Sequence, residues 1–180
     1  MLDYEALTRL AKEHGFAAAA PLDVKTLEFL PEVREMCAAD KCQMYDKNWA
    51  CPPACGPLEE MREKVSKYSR GLLVQTIRDI EDSYDWEGIQ EAAELHAQNL
   101  NKLYDELKKQ YPGLMAMGAG TCTRCARCAY LDKEPCRFPD ELIYSMEACG
   151  LYVSKVCTDN GLKYNYGPDK IAYTSCFLLE

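Results

Sequence analysis

LLVQTIRDIEDSYDWEGIQEAAELHAQNLNKLYDELKKQYPGLMAMGA, residues 72–119, decides the fold. LLVQTI, 72–77, is an apolar run of strand length, ended by the acidic turn DIEDSYDWEG. Ile89, Ala93, His96, Leu100, Leu103 and Leu107 then alternate four and three apart, which lines one face of a long helix. YPG at 111–113 stops that pattern, and LMAMGA reads as a second strand. A strand, a helix and a strand in this order predict a parallel pair joined by a right-handed crossover.

Upstream, Leu2, Ala6, Leu7, Leu10 and Ala11 recur at helical spacing and Gly15 closes the segment, so a first helix is expected over about 3–14. FAAAAPLDV follows as a short strand. Residues 31–56, dense in Pro, Cys and charge, read as an irregular loop. Gly56 and Pro57 then open a helix that carries Leu58, Met61, Val65 and Tyr68 on one face and ends near Gly71. Downstream, a helix is expected through Leu142 to Ala148, and a shorter one around Val153 to Asp159 closed by Asn160 and Gly161. The end, LKYNYGPDKIAYTSCFLL, reads as two strands joined by a GPD turn. No repeat, linker or low-complexity tract divides the halves. The expected fold class is therefore α/β: a single compact domain over 1–180, a mixed sheet flanked by helices, with two cysteine-rich metal-binding loops at about 34–56 and 119–139.

The 180 residues are 48% hydrophobic and 28% charged, a globular balance that argues against disorder. The acid-bearing start MLDYEALTRLAKEHG, and the lack of a run of about eighteen apolar residues, predict a cytoplasmic protein with no membrane contact. A formal charge of -8 disfavours nucleic acid, whose phosphates call for clustered Lys and Arg. The 11 cysteines are an odd number in a chain without a secretory start, so a disulfide framework is disfavoured and metal ligation or thiol chemistry is favoured.

Cys122, Cys125 and Cys128 stand at intervals of three, and Cys136 follows eight residues later. Such a run lets a tight loop wrap three thiolates around one inorganic core, as bacterial ferredoxin runs do. Those runs place the next Cys four residues on and before a Pro, whereas here Pro135 precedes Cys136. The module is thus not a ferredoxin by sequence, and Cys149 competes with Cys136 for the fourth position. In the other set, Cys37, Cys42, Cys51 and Cys55, Pro52 and Pro53 stiffen the arch between the last two thiols and Gly56 permits a sharp exit. The helix start behind them would favour ionised thiolates. Zinc competes, since four-cysteine tetrahedral sites are common, although these usually show two separated pairs. With only 2 histidines, His14 and His96, a mixed Cys and His finger is nearly excluded. Iron-sulfur clusters are expected at both loops, with zinc and unliganded thiols as the alternatives.

The remaining motifs have plainer readings. Cys149, Cys157 and Cys176 read as small core hydrophobes, and His96 as a satisfied core histidine. Ser145 and Glu147 lack the companions of a catalytic triad. GAG at 118–120 lacks a phosphate-loop continuation and reads as room for the chain to turn. Arg124, Arg127, Lys133 and Arg137 form a basic island in an acidic chain. It would offset cluster charge or, through Arg137 and Arg127, bind an anionic substrate.

MCAADKCQMYDKNWACPPACG followed by GTCTRCARCAYLDKEPCRFPDELIYSMEACGLYV resembles an uncharacterised prokaryotic family described as predicted metal-binding proteins, over about residues 30–180. The resemblance implies two metal-binding clusters, carried by Cys37, Cys42, Cys51, Cys55, Cys122, Cys125, Cys128 and Cys136. The function expected on these grounds is an intracellular iron-sulfur protein, with two 4Fe-4S clusters, that passes electrons to a protein redox partner. An iron-sulfur enzyme with an open iron site, acting on a small anionic substrate or sulfur donor, and a zinc-stapled structural or interaction module are the alternatives. Homo-oligomerisation is left open.

Overall fold

In the computed structural model, which describes residues 2–180, the stretch 72–119 does form a strand, a helix and a strand, but the two strands do not pair with each other. The elements in chain order are α1 (Tyr4–Glu13), β1 (Ala18–Asp23), α2 (Pro31–Met36), α3 (Leu58–Val65), β2 (Arg70–Asp79), α4 (Trp86–Gln110), β3 (Met115–Gly118), β4 (Tyr144–Ser145), α5 (Val153–Asp159) and β5 (Lys170–Leu178). The sheet runs β1-β2-β5-β3-β4. β5 lies antiparallel to both β2 and β3, so those two strands run the same way with the C-terminal strand between them. Thr174 to Leu178 of β5 are buried throughout, and a strand covered on both faces belongs at the centre, where its N–H and C=O groups find partners on each side. The one parallel contact is β3 with the short β4, through Met117 with Tyr144 and Gly118 with Ser145.

Alternation along β2 and β5 divides the core into two layers. Leu72, Val74 and Phe177 face α1 and α4, packing on Leu7, Ala11, Leu103 and Leu107. Leu73, Cys176 and Leu178 face the other way, against Met61 and Val65 of α3, Val156 of α5, and Met146, Cys149 and Leu151. The side chain of Asp85 caps α4, accepting from the Gly88 N–H at 2.9 Å, and Lys108 and Lys109 occupy its last turn. On its inner face His96 is buried, with Nδ1 2.8 Å from Thr76 Oγ1 and Nε2 2.7 Å from Ser175 Oγ.

Four local expectations change. Residues 142–148 are not a helix: the Met146 N–H donates to Gly118 O at 3.0 Å and the Ser145 N–H to Ala50 O at 3.3 Å, so the segment spends its donors on the sheet and on the first cysteine loop. Ile143 and Met146 enter opposite core layers. The tail has one strand, not two, because residues around 163–166 are held by a buried side chain instead. Gln75 Nε2 donates to Lys163 O at 2.8 Å, and Tyr166 OH donates to Gln75 Oε1 at 2.8 Å. The loop 31–56 opens with α2, and α3 stops at Val65 rather than near Gly71. A single domain with a mixed α/β sheet stands. Its two cysteine-rich loops do not form metal-binding sites: among the described residues no three Cys, His, Asp or Glu side chains are grouped to hold a metal ion.

Candidate functional site

The first cysteine loop is held by hydrogen bonds from its own polar side chains. Arg34 of α2 reaches back, donating Nη2 to Cys55 Sγ at 3.2 Å and to Gly56 O. The CPPAC arch closes as a turn, with the Cys55 N–H on Cys51 O at 3.0 Å and the Gly56 N–H on Pro53 O at 3.2 Å. Asp40 Oδ1 accepts from the Tyr45 N–H, while Asn48 bridges Met44 O and the Ala50 N–H. Trp49 ties this loop to the second one, donating Nε1 to Glu134 O at 3.1 Å and meeting the Tyr130 ring edge-on at 5.1 Å. Tyr130 OH in turn donates to Asp46.

This scaffold distributes the four thiols unequally. Cys51 and Cys55 are buried, Cys37 is half-buried and Cys42 is exposed. Burial pushes the Cys51 thiol up to about 11. Burial first, and the nearby Glu147 carboxylate second, raise Cys37; burial also raises Cys55 against the opposing pull of Arg34. A metal site needs deprotonated sulfur converging on one point. Here no such group converges among the described residues, and Cys55 Sγ accepts from a guanidinium.

In the second loop Cys122, Cys125, Cys128 and Cys136 do border one space with Arg137, Phe138 and Leu142, but it is a cavity of about 20 Å³. That is room for roughly one water. Burial raises the Cys122 thiol as well. The basic island is largely consumed in holding the loop. Arg124 pairs with Asp105 at 2.8 Å and with Glu141, its guanidinium 5.0 Å from the centre of the Tyr104 ring. Arg127 pairs with Asp132 at 2.7 Å, and Arg137 donates Nη1 to Arg127 O at 2.8 Å.

The expectation of iron-sulfur clusters, or zinc, on Cys37, Cys42, Cys51, Cys55, Cys122, Cys125, Cys128 and Cys136 is therefore corrected, since no ligating group of three or more is assembled among the described residues. With it go the electron-transfer function, the open-iron enzyme and the zinc staple. Cys149, Cys157 and Cys176 are each 0% exposed; Cys149 and Cys176 pack in the core, and burial pushes Cys176 up to about 12.

What the first loop does build is one wall of a cleft of about 400 Å³. Cys37, Cys42, Met44, Tyr45, Cys51 and Pro52 form that wall; Gly120 and Thr121, just past β3, form the floor; Ser145, Glu147, Leu151 to Ser154 and Tyr164 form the far wall. The walls are pinned together at one end. The Leu30 N–H donates to Gly150 O at 2.8 Å, and Phe29 bridges Leu151. Gly150 adopts φ 74°, and a Cβ there would meet Leu30 O at 2.9 Å, so this close approach requires glycine. Within the cleft Ser145 Oγ donates to Glu147 Oε2 at 2.9 Å. A larger depression along α1, between Tyr4 and Glu13, is formed by one helix alone and is open to solvent.

Sequence reasoning found the loop residues of this cleft but assigned them the wrong chemistry. It dismissed Ser145 and Glu147 for lack of a triad, and gave no role to Tyr45, Thr121 or Tyr164. The proximity of SMEACG to the cysteine blocks was a usable signal for Glu147; Tyr164 arrives only through the fold.

No helix among the described residues is long and apolar enough to cross a membrane. Neither the curated proteins nor the solved structures contain a match to the chain. Residues 20–179 match the family described as predicted metal-binding protein (DUF2284), and the chain belongs to that uncharacterised family.

Proposed function

We propose that the protein binds a small organic molecule in the cleft between the first cysteine loop and the β4 to α5 segment. One observation carries this: a cleft of about 400 Å³ opens beyond the carboxyl ends of β3 and β4, the parallel pair of the sheet. Ligand sites of small molecules are concave, mostly apolar and a few hundred Å³ in size, and in α/β sheets they sit outside the carboxyl ends of strands. Met44, Pro52, Leu151 and Val153 supply apolar surface, while Thr121, Ser145 and Glu147 supply a few polar groups. The family's description names a metal, but among the described residues no three of the cleft's Cys and Glu donors are grouped to hold one, so no metal enters this function.

Cys37 and Cys51 take part as thiols. With their ionisation raised by burial they are poor nucleophiles at neutral pH, and they act as small polarisable walls. Cys42, an exposed thiol of the lining, reports on occupancy. Arg127 and Arg137 lie outside the cleft, on the second loop, and an anion-binding role for them forms no part of this function.

The neutral fluorophore N-phenyl-1-naphthylamine tests the proposal. It is expected to bind saturably and to slow alkylation of Cys42 by iodoacetamide, read by mass spectrometry of the labelled peptides. Unchanged labelling of Cys42 at saturating fluorophore would place any binding elsewhere and refute the proposal.

A further inference from the structure

The cleft contains one carboxylate, and its one hydrogen-bond partner among the described residues is neutral. Glu147 accepts from Ser145 Oγ at 2.9 Å and forms no ion pair among the described residues. Its charge is felt inside the cleft, because it helps to raise both the Cys37 thiol and the Tyr164 phenol, each time behind the larger effect of burial. Lys41, the one cation of the lining, is exposed and is not paired with Glu147. Tyr164 feels this carboxylate, and Tyr45 and Tyr152 line the same cleft; Tyr152 and Tyr164 are 57% and 48% exposed, which keeps their ring surfaces available rather than packed away.

From this arrangement we propose that the ligand of the cleft is an organic ammonium, a compact apolar body carrying one protonated amine directed at Glu147 and the tyrosine rings. A carboxylate among apolar walls is costly to leave unpaired once a ligand displaces water, and an ammonium repays that cost. Aromatic faces attract the same charge through their quadrupole. A carboxylate ligand would meet Glu147 as a like charge, and a neutral ligand would strip its hydration without replacing it. The inference deepens the small-molecule function above and rests on it.

Three probes share one body and differ in charge: phenethylammonium, 2-phenylethanol and 3-phenylpropionate. Each is titrated into the isotope-labelled full chain and followed by amide chemical shifts. Phenethylammonium is expected to bind roughly 10-fold more tightly than the alcohol, the size of a charge-assisted hydrogen bond, with the propionate weakest. Glu147→Gln should bring the amine to the level of the alcohol, and Tyr164→Leu, at a half-exposed position that tolerates exchange, should weaken the amine about 3-fold and the alcohol less. If the alcohol or the propionate matches the amine while shifts map to the cleft, the ammonium preference is refuted and the small-molecule function survives. If no probe perturbs the cleft, both are refuted.

Discussion

His96 is the buried titratable group whose environment has the clearest solution consequence. Burial lowers its ionisation to about 4 from an ordinary 6.5, since the ring sits between Thr76 and Ser175 and near Phe16 and Tyr173, with no carboxylate partner among the described residues to stabilise the charged ring. The folded pKa is depressed, so the unfolded chain binds the proton first as pH falls. The contribution is full above about pH 6.5, falls between there and about pH 4, and reaches a loss of ~3 kcal/mol at the bottom of that window. Urea unfolding at pH 7.5 and pH 5 should show a drop of roughly 2 kcal/mol, and His96→Gln should flatten it. Equal pH dependence in the variant would show that carboxylates, not His96, set the slope. At this scale the sequence was legible where a residue's type fixes its surroundings: an apolar-stripe histidine and the small thiols Cys149 and Cys176 went to the core as expected. It was not legible for Glu147, because a lone Ser and Glu pair means nothing until Tyr45 and Tyr164, distant in the chain, line the same cleft.

Elements meet at the cysteine loops, and those junctions are made by arginines and aromatic rings. Arg124 joins the second loop to α4 through Asp105 and Tyr104 and to Glu141 beyond the loop. Its side chain is 15% exposed, but Asp105 and Glu141 are 59% and 39% exposed, so solvent screening holds the expected cost of Arg124→Ala to about 1 kcal/mol. Denaturant midpoints measure it; an unchanged midpoint would mean the loop is anchored without that residue. Because Arg34, Asn48, Trp49 and Tyr130 hold the first loop in the same manner, chelation by EDTA should leave the thermal midpoint unchanged. Protein purified without oxygen should likewise carry no stoichiometric iron or zinc by elemental analysis. Several irons per chain with broad visible absorbance would overturn this picture of both loops. Strong helical periodicity placed α1 within a residue and found α4, which starts three residues earlier than its apolar pattern, and the apolar runs placed β1, β2 and β3. The segment 142–148 deceived because Ile143 and Met146 have helical spacing, yet their backbone donors were claimed by Gly118 and Ala50 across the fold.

For the molecule as a whole, the C-terminal strand decides the architecture. Local pattern in 72–119 gave a crossover between two strands, and nothing in that stretch could reveal that β5 would lie between them. Its insertion leaves β3 facing β4 as the parallel pair, and the turn beyond them, with the first cysteine loop folded over it, encloses the cleft. Cysteine spacing suggested metal because ligand runs and tight structural turns share the same Pro and Gly punctuation. Only the packed chain distinguishes converging thiolates from buried thiols.

The most direct measurement is a fluorescence titration of N-phenyl-1-naphthylamine into the full chain and into Ser154→Trp, whose indole would fill the cleft from the start of α5. The account predicts saturable binding at one site per chain, weakened at least ~10-fold in the variant, which should otherwise unfold at the same denaturant concentration. Binding of equal strength in both proteins, or none in either, would contradict it.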